Sequence, residues 1–351
     1  MKARDRLLAW YDREKRDLPW RGVRDPYAIW LSEIMLQQTT VATVTPRWRR
    51  FLERWPTVRD LAAAPLDDVL SEWTGLGYYA RARNLHRAAQ AVVAEHGGGL
   101  PRRYAELLAL PGLGPYTAAA VASIAFGEAV AVLDANVERV MARWGPLEMD
   151  ARSAGGKAAL RGLATAFLVA GRAGDSNQAL MELGATVCLP REPRCGECPL
   201  ARECGGLAQG RPTAFPVLTK KAPMEAVREV AVVLEKAGSF LLLRRPANGS
   251  FAGMWETPRV RVGDHESPQD AARRAARELA GLECAAAPRE VMAIKHTVMR
   301  TRIELTVFRA AAIEGTIVHP SHEAARWASA EEWLALPTST TQRRIARVLA
   351  G

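Results

Sequence analysis

Glu33 occupies the stretch Ala28-Ile29-Trp30-Leu31-Ser32-Glu33-Ile34-Met35-Leu36-Gln37-Gln38-Thr39, whose apolar members would cover most of a helix surface. A carboxylate buried there must be paired, hydrogen-bonded or protonated. Protonated near neutral pH, it would serve as a general acid; salt-bridged or turned to solvent, it would do no chemistry. A second carboxylate, Asp134, follows the apolar run Val130-Ala131-Val132-Leu133 and stands 18 residues beyond Tyr116. Read by itself it suits a helix N-cap. Between the two acids lies Leu110-Pro111-Gly112-Leu113-Gly114-Pro115, a turn that ends one helix and starts the next. Gly112 and Gly114 strip side chains from a helix N-terminus and leave amide N–H groups free for an anion. A plain helical hairpin would use the same letters. The third group is Cys188, Cys195, Cys198 and Cys204, spaced C-x6-C-x2-C-x5-C. Four thiolates that close together suit one zinc ion or one iron–sulfur cluster, and spacing does not separate the two. Cys284 lies far from them and reads as a buried thiol.

The totals bound these possibilities. A chain of 351 residues can bury two proper cores. Charged residues make up 25% and hydrophobic ones 48%, which places it among folded globular proteins. A formal charge of +10 suits a polyanionic partner. No apolar run approaches the roughly 20 residues of a transmembrane helix, and no signal-peptide core follows Met1. The expectation is a cytoplasmic, nucleoid-associated protein of a reducing compartment, where clustered cysteines bind metal.

The elements that must position these groups can be laid out from capping and period. Residues 4 to 14 form an amphipathic helix, and Leu18-Pro19-Trp20-Arg21 an extended turn. Asp25 caps a helix that opens on Pro26 and carries Glu33 on to Thr39. Residues 47 to 96 read as short helices broken at Pro56, Pro65 and Gly75. Within them Gly75-Leu76-Gly77-Tyr78-Tyr79-Ala80-Arg81-Ala82-Arg83 sets aromatics beside cations, either to wedge between bases or to line a helix start. His86 reads as structural. Residues 150 to 187 supply Gly- and Ala-rich helices. Residues 205 to 226 have the composition of a linker. Beyond it the period becomes two: Glu229 to Leu234 and Phe240 to Arg244 pair as strands, Ser267 to Leu282 and Ala330 to Leu336 are helices, and Ile303 to Arg309 is another strand.

The block Leu18 to Arg21, then Asp25 to Thr39, then the Gly-turn followed by Asp134, resembles the MutY-type adenine DNA glycosylases of the helix–hairpin–helix, endonuclease III superfamily. That resemblance implies an all-α glycosylase domain over residues 1–204 with a [4Fe–4S] loop at 188–204. It also implies a monofunctional DNA N-glycosylase of base excision repair. Glu33 would protonate the adenine ring, and Asp134 would stabilise or capture the sugar cation, with Asn136 beside it. Trp20 and Arg21 would line the adenine pocket, and Gln178 would add a supporting polar contact. Gln38, with Gln37, would fill the space left by the extruded base, and Tyr78 would wedge next to it. The loop at Gly112 and Gly114 would hold a DNA phosphate. Arg191, Arg194 and Arg202 would face further phosphates around the cluster. Tyr116 stands where the strand-cutting relatives carry lysine, and a phenol forms no Schiff base.

Residues 227–351, after a linker at 205–226, resemble a Nudix-like α+β domain through Arg244-Arg245-Pro246 and Gly253-Met254-Trp255-Glu256-Thr257-Pro258. The paired glutamates that would hold Mg2+ are missing at Arg277-Glu278-Leu279-Ala280-Gly281-Leu282, which argues against phosphohydrolase activity. In the family this domain inspects 8-oxoguanine opposite the target adenine. Its usual Phe-Ser-His hairpin is here Val298-Met299-Arg300, where Arg300 either meets the lesion's acceptor edge or contacts phosphate. The expected partner is double-stranded DNA with A:8-oxoguanine or A:G mispairs, bound by a monomer with no membrane. The alternatives are a glycosylase for another lesion, a lyase, and a non-catalytic mismatch-binding module.

Overall fold

A computed structural model describes residues 1–219, 223–249, 251–298, 300–313 and 315–350. The chain divides into two compact units, Met1–Ala63 with Asn84–Lys221 and Ala64–Arg83 with Ala222–Gly351.

The first unit is helical: α1 (Ala3–Glu14), α2 (Pro26–Met35), α3 (Val41–Arg54), α4 (Val58–Ala63), most of α6 (Ala80–His96), α7 (Tyr104–Ala109), α8 (Pro115–Phe126), α9 (Ala135–Trp144), α10 (Ala154–Ala166), α11 (Ala173–Thr186) and α12 (Gly205–Ala208). The short α5 (Leu66–Glu72) and the opening turn of α6 belong to the second unit. Two helices are apolar all round and lie at the centre. Tyr27 through Met35 of α2 are all buried, and so are Thr117 through Ser123 of α8. The helices α2 and α11 both pack on α8, and α9 packs on α11. Runs of alanine in α8 let those neighbours approach closely, while each fully buried Leu or Met contributes about 1.5–3 kcal/mol. Asp25 caps α2 as its sequence foretold, accepting from the amides of Tyr27 and Ala28 at 3.1 and 3.3 Å.

That helix stops at Met35, short of Thr39. Gln38 takes a left-handed φ of 56°, and the Thr40 side chain caps α3. Two helices therefore meet in a tight turn where letters without Gly or Pro suggested one longer helix. Residues 205–219 carry more structure than their linker composition implies. Phe215 is fully buried, its carbonyl accepts from Arg143 Nε at 3.1 Å, and the Val217 carbonyl accepts from the Ala151 amide at 3.0 Å.

In the second unit, β1 (Glu225–Lys236), β2 (Ser239–Arg244), β3 (Trp255–Glu256), β4 (Arg259–Arg261), β5 (Arg289–Val298), β6 (Thr301–Ala311) and β7 (Ala324–Ala328) form one mixed sheet. Its path is β3-β2-β1-β6-β5, with β4 added to β1 and β7 to β2. The long β1 pairs parallel with β6 from Glu225↔Thr301 to Glu235↔Ala311, and antiparallel with β2 across the expected turn. Successive side chains of β1 point to opposite faces. Val230, Val232 and Leu234 meet α13 (Pro268–Ala280), whereas Ala231 and Val233 share a core with Trp333 of α14 (Ala330–Ala335) and Ile345 of α15 (Thr340–Leu349). Burial on both faces makes Val230 to Leu234 an unbroken apolar run where alternation of period two was expected.

Candidate active site

The carboxyl of Glu33 is 6% exposed and lies within the helical core. Its Oε2 accepts a hydrogen bond of 2.5 Å from the Tyr116 hydroxyl, the first-turn residue of α8. Burial pushes the Glu33 carboxyl up, the Tyr116 bond opposes it, and the negative charge of Asp134 adds to it, leaving the group at about 7. It is thus poised to give a proton near neutral pH. The same hydroxyl lies 3.7 Å from the sulfur of Met181 on α11. Burial also raises the Tyr116 phenol well above its ordinary range, helped by the charges of Glu33 and Asp134.

Asp134 caps α9. Its Oδ1 accepts from the Val137 amide at 2.7 Å and its Oδ2 from the Asn136 amide group at 2.9 Å. Asn136 is fixed in turn by Arg139, whose Nη2 donates to Asn136 Oδ1 at 2.8 Å and to the Gly184 carbonyl at 2.7 Å. Gly184 is required there, since a Cβ would stand 2.6 Å from that of Asn136. Burial raises the Asp134 carboxyl above the usual aspartate range, while those hydrogen bonds and Arg139 pull the other way. Glu33 and Tyr116 both feel the charge of Asp134, so the three side chains share one electrostatic neighbourhood.

The residue that holds this neighbourhood together was not among those singled out from sequence. Asn177 is fully buried on α11, one position before Gln178, which is half-buried. Its Oδ1 accepts from the Val132 amide at 3.0 Å, and its Nδ2 donates to the Val130 carbonyl at 2.8 Å and to Ser123 Oγ at 2.9 Å. It ties the segment leading to Asp134 onto the two helices that carry Tyr116 and Met181. The available signal was a polar side chain inside the small-residue pattern of α11. Asn177→Ala leaves a buried amide and carbonyl without partners, each costing about 1–3 kcal/mol. The expected result is a loss of roughly 3 kcal/mol in urea unfolding and a slower chemical step; a loss below about 1 kcal/mol would show that the segment is held by other contacts.

The hairpin turn is formed as expected. Gly112 adopts φ +74° and packs so closely on Asn84 that a Cβ would stand 2.4 Å from the Asn84 Cβ. Among the described residues, the amides of Gly114, Tyr116 and Thr117 have no backbone acceptor, so this helix start presents free N–H groups. Gln37 Nε2 donates to Thr117 Oγ1 at 2.9 Å, which holds the Gln37-Gln38 turn beside the same helix start. Trp20 is buried edge-on against Trp48, centroids 6.0 Å apart. Arg21 is engaged by the buried Glu182, which Arg16 also holds at 2.7 and 2.9 Å. Burial would raise the Glu182 carboxyl, but the two arginines bring it down to about 2. This ion cluster fastens the Leu18 to Arg21 segment onto α11.

Cys188, Cys195, Cys198 and Cys204 all line one cavity, together with Arg143 and the apolar Val140, Leu183 and Val187. Arg143 Nη1 lies 3.4 Å from Cys188 Sγ and donates to the Leu189 carbonyl at 2.7 Å, while Nη2 donates to the Pro190 carbonyl at 2.8 Å. Burial lifts the Cys198 thiol to about 11 and raises Cys204, with the neighbouring cysteines adding to both. Such thiols ionise together only beside positive charge. Four thiols lining one cavity are a donor set that suits either a zinc ion or an iron–sulfur cluster.

In the second unit Tyr78 is half exposed at φ 48°, with the Arg81 guanidinium 5.6 Å over its ring. Of Val298-Met299-Arg300, Met299 lies outside the described residues. Arg300 is exposed and its Nη2 donates to the Pro223 carbonyl at 3.3 Å. The helix α13 carries Glu278, which Arg274 holds at 3.2 Å. Among the described residues, no helix is long and apolar enough to cross a membrane.

Residues 31–161 match the HhH-GPD superfamily of base excision DNA repair proteins, and residues 229–347 match the NUDIX domain. The chain is 37% identical to the adenine DNA glycosylase of Homo sapiens over 404 aligned positions, covering 99% of this chain and 74% of that one. It is 46% identical over 197 positions to the adenine DNA glycosylase of Mycolicibacterium smegmatis, covering 56% of this chain and 66% of that one. Its fold is similar to that of a thermostable thymine-DNA glycosylase, with a TM-score of 0.54 and 32% identity over 59% of this chain and 95% of that chain.

Proposed function

Because this chain belongs to the MutY-type adenine DNA glycosylases, and is therefore a DNA N-glycosylase of base excision repair, we propose that it excises adenine mispaired with 8-oxoguanine or guanine in duplex DNA. The observation that carries the proposal is the pairing of a protonatable Glu33 with a capped Asp134 in one buried neighbourhood. The nucleotide swings out of the duplex into the site. Glu33 gives its proton to a ring nitrogen of adenine as the glycosidic electron pair leaves with the base. The carboxylate of Asp134 faces the positive charge that develops on the sugar, and water adds to that carbon as its spare proton passes to the carboxylate left on Glu33, which completes the abasic product. Tyr116 positions Glu33 and, lacking an amine, gives no covalent adduct and no strand cut.

The remaining roles follow the same logic. The free amides after Gly112 and Gly114 hold a backbone phosphate. Gln37 and Gln38, with Tyr78, occupy the duplex around the vacated position, while Trp20, Arg21 and Gln178 border the base. The four cysteines hold a [4Fe–4S] cluster, which supplies a rigid brace for Arg191, Arg194 and Arg202 at the DNA backbone. The Nudix unit inspects the opposing base, with Arg300 as donor to its acceptor edge. The enzyme works as a monomer on nucleoid DNA.

Single-turnover release from A:8-oxoguanine, A:G and A:C duplexes tests the proposal, with borohydride added to one arm. Fastest release opposite 8-oxoguanine and no trapped adduct is the expected result. Release of a different base, or none from any adenine duplex, would overturn it. A preference for another opposing base would confine the failure to Val298–Arg300, where the chain departs from its family.

A further inference from the structure

The hydroxyl of Tyr116 sits between two acceptors of different character: Glu33 Oε2 at 2.5 Å and the Met181 sulfur at 3.7 Å. A phenol has one proton to donate and lone pairs with which to accept. While Glu33 is ionised, the proton of Tyr116 points at the carboxylate. When Glu33 carries its proton on Oε1, Oε2 still accepts from Tyr116; when it carries the proton on Oε2, both groups hold a hydrogen on the line between them, and the phenol's must turn aside. Thioether sulfur is a weak acceptor, but it is the one placed to take the phenol's proton. With Tyr116 donating to Met181, its oxygen can accept from protonated Glu33.

We propose that Met181 is a positioning residue that acts through Tyr116: by accepting the phenol's hydrogen it keeps Glu33 in its proton-bearing form until the base is in place. The inference rests on the reading of Glu33 as proton donor. The site is enclosed enough for so weak an acceptor to count. Val132, Ala119 and Ala120 form a buried core cluster against which Tyr116 and Met181 pack, and a low-dielectric surrounding strengthens a weak hydrogen bond. The charged groups facing the pair are few. Asp134, at the start of α9, raises both Glu33 and Tyr116. Glu182 on α11 is held by Arg16 and Arg21, and Arg139 on α9 reaches Asn136. None of these is altered by a change at Met181.

Met181→Leu keeps size and apolar character and removes the acceptor, a volume-conserving exchange the core tolerates. Removing a partner of the protonated state favours the ionised one. The high-pH limb of single-turnover adenine release should then move down by roughly half a pH unit, about threefold in rate above the limb. Infrared titration of the Glu33 carboxyl in the DNA-free enzyme should move by the same amount. In a Tyr116→Phe background the exchange should move neither readout. A limb unmoved in Met181→Leu, or an equal shift with phenylalanine at 116, would overturn the proposal, since packing alone would then explain the residue. The limb must also vanish in Glu33→Gln. If it persists there, the proton-donor reading fails first; if it vanishes but stays put in Met181→Leu, only the present inference fails.

Discussion

Glu33→Gln should slow adenine release by about 10²–10⁴-fold, the range expected for a lost general acid, while binding of the mismatched duplex stays within about threefold. Glutamine has the shape of glutamate and can still accept from Tyr116, so the helix packing of α2 against α8 is kept. It cannot give up a proton to the leaving base. The pH profile carries the sharper test. Glu33 must be protonated to act, and its carboxyl sits at about 7, so the wild-type rate falls as pH rises through that value. The variant should lose that limb altogether. Stability follows the same group. Its folded value lies above the ordinary glutamate value of 4.5, so the native state holds the proton more tightly than the unfolded chain. The associated stabilisation is present below pH 4.5 and is lost as pH rises to about 7. Between those limits the melting temperature of the wild type should fall relative to that of the glutamine variant. A single-turnover rate within threefold of wild type would remove Glu33 from the chemistry.

Much of this site was legible because its residues obey local rules. Asp25-Pro26 starts a helix by capping chemistry, and the Gly112 to Pro115 turn must break one helix and open another. A glutamate in an apolar helix invites the question that burial then answers. What escaped the sequence is decided by tertiary contact. Nothing in Leu36-Gln37-Gln38-Thr39 announces a left-handed residue, yet Gln37 is drawn to Thr117 and Gln38 turns the chain. Asn177 looked like one polar letter in a helix. Its three hydrogen bonds exist because a strand-like segment far away in sequence lacks partners of its own. The Pro- and Gly-rich composition after Cys204 was a sound sign of irregular backbone, but it could not reveal that Phe215 is buried. In the second unit the hairpin of β1 and β2 is local and was foreseen. The parallel pairing of β1 with β6 joins residues some seventy positions apart, and period two does not choose partners.

Asp134→Asn should be as damaging to the chemical step, by about 10²–10³-fold or more, because it removes charge from the place where opposite charge develops. Asparagine retains an oxygen to cap α9 at the Val137 amide, but its NH2 then faces the donating Asn136 amide, whose orientation Arg139 fixes, so unfolding should lose about 1 kcal/mol beside the lost charge. A reporter of electrostatics accompanies the loss. The charge of Asp134 helps to raise Glu33, so taking it away lets the Glu33 carboxyl ionise at lower pH. The residual activity of the variant should therefore show its high-pH limb displaced to the acid side of the wild-type position. Rate and pKa then report on the same pair by independent routes. A variant that is slow but keeps the wild-type limb would mean that the two carboxyls do not sense each other, and a division of labour across one glycosidic bond would lose its physical basis.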